Sequence, residues 1–133
     1  MSKPIGTGGN ATAKLTRISV AIAGLAGALG VVLLAASAHA DTSPLVRSAA
    51  DVLLIHAPAF LGLGILAQVR HTSFLAAAVL LMSAGCLLFC GDILARVYLD
   101  TRLFPMAAPT GGFALIAGWL ALALAAPRLR ARG

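Results

Sequence analysis

Residues 18–39 contain no Asp, Glu, Lys or Arg. As an α-helix these 22 residues rise about 33 Å, which matches a hydrocarbon core about 30 Å thick. Three more stretches behave the same way. Charge is absent from 52–69, from 74–91 and from 103–127. A chain with 60% hydrophobic and 11% charged residues falls well below the roughly 25% charge of a water-soluble domain. Lipid is therefore the solvent it is built for. In lipid, backbone groups must be satisfied within the protein, and a helix does this segment by segment. The expected fold is all-α, a bundle of four transmembrane helices over about 18–39, 44–69, 73–98 and 105–126. They form one domain at 15–126, between a flexible tail at 1–14 and a basic tail at 127–133.

The punctuation between the spans supports this division. Ser43-Pro44 is a helix start, because Ser accepts from free N–H groups and Pro suits the first helical position. The first two turns that follow are amphipathic, with Arg47 and Asp51 four apart on one face. Pro58 is a kink-prone position inside that helix. The last span holds Pro105, Pro109, Gly111 and Gly112. A helix broken or kinked around Pro109, Gly111 and Gly112 is the expectation there. The first span has a competing reading. A basic start, an apolar run and Ala38-His39-Ala40 also fit a secretory signal with a cleavage site, although the run exceeds the usual apolar region of a signal peptide.

Charge placement predicts orientation. The net charge is +6, but the basic residues lie at chain ends and in connections. That pattern sets topology and does not suit nucleic acid, which needs a basic face. Lys3, Lys14, Arg17, Arg70, Arg128, Arg130 and Arg132 fall on one side, and Arg47, Arg96 and Arg102 on the other. The positive-inside rule then puts both termini in the cytoplasm. Asn10-Ala11-Thr12 fits a glycosylation acceptor, but it sits on that cytoplasmic side.

The chemistry-bearing residues are few. Cys86 and Cys90 share a helix face and suit small packing residues better than a disulfide with each other. Asp92 and Arg96 are four apart at the end of the third span, placed to pair along their own helix. Counting up from each helix's cytoplasmic end, His56 stands about 20 Å high, Thr110 about 24 Å, Asp92 about 28 Å and His39 about 32 Å. His56, Asp92, Arg96 and Thr110 are therefore a candidate polar cluster in the outer third of the bundle. His39 is too high to share a metal or haem iron with His56. An intramembrane ionisable group is a functional candidate by default. Its structural alternatives are an ion pair for Asp92 and a hydrogen bond within the bundle for His56.

These residues also resemble a family of small bacterial membrane proteins, with eukaryotic relatives, known as domain of unknown function 423. The likeness rests on Ala38-His39, on His56, and on the Leu-Phe-x-Gly-Asp run at 88–92. It continues in Pro109-Thr110-Gly111-Gly112 and in Ala117-Gly118-Trp119. It spans residues 15–124. Cys90 stands where the pattern often has Ser, and Ala108 where it often has Thr, which removes a hydroxyl before the proline. The resemblance implies an uncleaved first helix, four spans and an inner-membrane location, with no established activity.

Three functions compete on this reading. One is a non-enzymatic accessory or assembly subunit that meets a membrane partner through its glycine-lined first helix and its fourth helix. Another is a small-solute or proton-coupled transporter, oligomeric, with a polar site at His56, Asp92 and Thr110. The third is a haem- or quinone-binding protein using His56. No zinc-spaced cluster, phosphate loop or nucleophile elbow is present, so no cofactor and no enzymatic activity are assigned. The bilayer itself, a membrane-protein partner or a second copy are the partners that fit.

Overall fold

The computed structural model describes residues 7–40, 43–70 and 72–129. It holds four long helices: α1 Thr7–His39, α2 Pro44–Val69, α3 Ser73–Leu99 and α4 Ala107–Ala125, the last continued by a short 3-10 turn at Ala126–Arg128. Each helical segment is long and apolar enough to cross a membrane. Ser43 accepts from the N–H of Leu45 at 3.2 Å and so caps α2, with Pro44 in the first turn as its fixed φ allows.

Packing follows chain order. α1 lies along α2 and α3 along α4, and a lighter α2–α3 contact joins these two hairpins; α1 only brushes α3 and does not pack on α4. Neighbours run antiparallel. The hydroxyl of Thr16, near the start of α1, donates to the carbonyl of Gly64, near the end of α2, at 2.9 Å. The Arg128 guanidinium, after α4, sits 4.9 Å over the ring of Phe74 at the start of α3. The beginning of α1 and the end of α4 consequently share one end of the molecule.

Glycines set how closely the helices approach. A Cβ on Gly111 would lie 2.6 Å from the backbone nitrogen of Phe89, and one on Gly118 would lie 2.6 Å from Met82 Cγ. A Cβ on Gly85 would meet the Gly111 carbonyl at 2.8 Å. The α3–α4 backbones therefore touch almost directly, the way helices gain dispersion energy when lipid offers no hydrophobic gain. Gly30 does the same in the first hairpin, where a Cβ would fall 2.8 Å from Leu54 Cδ2. The small residues expected to greet an outside partner are largely used up inside the hairpins. Gly9 and Gly24 on α1 and Gly112 on α4 are exceptions, with nothing near a notional Cβ, and Gly27 makes only an ordinary contact, 3.8 Å to Ala57 Cβ.

Two expectations about helix ends change. α1 begins at Thr7, inside the stretch expected to be a flexible tail. Thr16 is anchored to Gly64 and Leu15 packs on the core, so the helix has a reason to extend downward. Residues 1–6 and 130–133 of the two tails lie outside the described residues. α4 begins at Ala107, two residues past Pro105, and runs uninterrupted to Ala125. Pro109 thus falls in its first turn, where a backbone N–H has no helical partner to lose. The expected interruption at Pro109, Gly111 and Gly112 is a helix start instead, and Gly111 serves close packing.

Candidate functional site

Asp92 is the most completely buried charged residue among those described, 1% exposed. It lies on α3 two turns before the helix ends. One carboxylate oxygen accepts from Arg96 Nη2 at 2.8 Å, and the side chain of Arg96 is 30% exposed. The other oxygen accepts from the backbone N–H of Leu103 at 3.1 Å. Both oxygens are engaged, one along the helix and one across to the loop that follows. That loop turns through two left-handed residues that are not glycine, Asp100 at φ 52° and Met106 at φ 69°. Such positions cost about 1–3 kcal/mol each and persist where surroundings hold them. Asp92 is one of those holds, since it ties the middle of the loop to the helix it leaves.

His56 is buried on α2, 5% exposed. Its Nδ1 lies 2.7 Å from the carbonyl of Val52, one turn back. Its Nε2 accepts from the indole N–H of Trp119 on α4 at 3.1 Å. An indole can only donate, so Nε2 is bare and Nδ1 carries the proton, which it gives to Val52. This tautomer assigns a neutral imidazole with both nitrogens occupied. The rings sit 5.8 Å apart at 56°, a tilted contact. The bond also joins two helices whose backbones do not pack together, so it is a side-chain tie between the hairpins.

The residues singled out by the sequence are thus split. Asp92 and Arg96 form one unit near the α3–α4 loop. His56 and Trp119 form another between α2 and α4. No hydrogen bond among the described residues joins the two units. Thr110 is exposed in the first turn of α4, and its backbone N–H donates to Met106 at 2.9 Å. His39 is the exposed last residue of α1. Cys86 and Cys90 are buried free thiols, and Cys90 donates weakly to the Ala49 carbonyl at 3.6 Å. Trp119 as the partner of His56, and Leu103 as the partner of Asp92, were not anticipated. The signal for the first was available: a lone Trp on an apolar helix needs an acceptor.

A cavity of about 380 Å³ opens between α1 and α3. Its lining is aliphatic and aromatic apart from the thiols of Cys86 and Cys90 and the hydroxyl of Ser83, which already donates to Val79 at 2.6 Å. Neither polar unit lines it. No grouping of three or more His, Cys, Asp or Glu suited to a metal occurs among the described residues.

Comparison with known proteins gives a consistent picture. The inner membrane protein YgdD (UPF0382) of Escherichia coli strain K12 is 26% identical over 126 residues, 92% of this chain and 96% of that protein. The Shigella flexneri protein of the same name matches to the same extent. No solved structure matches the chain. Residues 26–112 match the family described as protein of unknown function (DUF423), a stretch from within α1 to the second turn of α4, and this four-helix membrane protein belongs to that family.

Proposed function

We propose that this protein is a non-enzymatic accessory or assembly subunit of an inner-membrane complex, with both termini in the cytoplasm. The observation that carries the reading is that the buried Asp92 and His56 have both of their polar atoms engaged internally; among the described residues the buried Ser19 hydroxyl and Arg96 Nε have no partner. Asp92 is committed to Arg96 and Leu103, and His56 to Val52 and Trp119. A proton or solute path needs polar groups facing a shared space, and the cavity found here is apolar. A haem ligand needs a free imidazole nitrogen, which His56 would gain only by breaking a bond. What the molecule offers outward is apolar. On α4, Phe113, Ile116, Leu120 and Leu124 follow helical spacing and are 58–71% exposed, an unbroken stripe for a partner helix.

The test is reciprocal purification in a gentle detergent. The same stoichiometric membrane protein should be recovered whichever of the two is tagged, and Phe113→Ala with Leu120→Ala should release it. A homo-oligomer that drives proton-coupled flux in vesicles, lost in Asp92→Asn, would overturn the reading in favour of a transporter. A Soret band in the purified protein, lost in His56→Ala, would overturn it in favour of a haem protein.

A further inference from the structure

The space between α1 and α3 is a slot rather than a flat lipid-facing surface. Its floor is buried: Ala26, Leu33, Phe60, Cys86 and Cys90 are 0–9% exposed. Its rims stand out, with Leu25 at 65%, Leu29 at 54% and Leu87 at 74%. Along α1 it runs from Ile22 to Leu33, about 16 Å at the helical rise. That is about half of a 30 Å hydrocarbon core, the depth of one leaflet.

Below the slot the same face of α1 continues through Ile18 to Lys14. The positions 14, 18, 22, 25, 29 and 33 step by four residues, with one step of three, and stay on one side of a helix. Lys14 is exposed at its foot. The end of the molecule around it is basic: Arg17, Arg70 and Arg128 lie there too. The described acids, Asp51, Asp92 and Asp100, all lie toward the other end.

We propose that this slot binds one anionic phospholipid, with an acyl chain lying between α1 and α3 and the phosphate at Lys14. Charge selects this occupant. The basic end lies about 12 Å below the slot along the same face of α1, and it suits an anionic headgroup whose hydrocarbon reaches up into the slot. A second copy in the same orientation would bring basic end against basic end.

Native mass spectrometry of the full-length protein tests this, with phosphatidylglycerol and phosphatidylcholine of identical acyl chains as probes. Wild type should retain one phosphatidylglycerol per chain, several-fold in preference to phosphatidylcholine. Lys14→Gln, an exposed change that leaves folding alone, should bring the two lipids to near parity. Leu29→Trp, which crowds the slot from its rim, should lose both adducts while circular dichroism stays helical. Equal retention of the two lipids by wild type would overturn the proposal. So would undiminished binding in Leu29→Trp, or a lipid-free dimer.

Discussion

Asp92 and His56 show how a membrane protein keeps polar groups in an apolar setting without giving them a reaction. Each is closed by two partners. Asp92→Asn keeps an acceptor for the Leu103 N–H but removes the charge that holds Arg96. We expect a loss of about 1–3 kcal/mol, read by denaturant titration in detergent. Arg96 is partly exposed, so the lower half of that range applies if water reaches it. The double change with Arg96→Gln should cost less than the two single changes added, because neither group is then left charged and alone. Trp119→Phe removes the donor to His56 and should destabilise by about 1 kcal/mol, within the range for hydrogen bonds between membrane helices. The Nε2 resonance of the imidazole should report the lost hydrogen bond, while Nδ1 stays protonated and donates to Val52. Asp92, Arg96 and His56 are legible in the sequence as rare ionisable groups in apolar spans. Their partners are not. Counting up from Ala126 puts Trp119 only about 10 Å high, against about 20 Å for His56, so a level bundle keeps them apart. Helix stagger and a long indole bring them together.

At the scale of the elements, adjacent glycines on α4 make opposite predictions. Gly111 faces α3, and a methyl there would meet backbone that cannot move aside. Gly111→Ala should destabilise by at least about 1–3 kcal/mol, as overpacking does, and weaken the α3–α4 hairpin. Gly112 faces open space. Gly112→Ala should be neutral or stabilise by up to about 1 kcal/mol, since Ala is the better helix former. The same assay on both variants separates helix propensity from close packing. Four helices were readable from apolar runs of sufficient length, and the start of α2 from Ser43-Pro44. The Pro109–Gly112 stretch was harder. Proline and glycine signal a break whether they fall inside a helix or at its beginning, and only the position of the first turn tells which.

For the whole molecule, the antiparallel order of α1 to α4 puts the start of α1 and the end of α4 together. If that end is cytoplasmic, a fluorescent protein fused after Gly133 should fold and fluoresce. Alkaline phosphatase inserted after Arg102 should be active, and the reverse pattern would invert the topology. The sequence alone determined the membrane class, the number of spans and the segregation of basic residues, because these depend on how many apolar residues stand in a row and where charge interrupts them. Tertiary structure decided which glycines touch a neighbour, which partners Asp92 and His56 take, and that the candidate cluster is two separate units. Those outcomes depend on the rotation and vertical offset of each helix against the next, set by packing between residues far apart in the chain, and no local pattern encodes them.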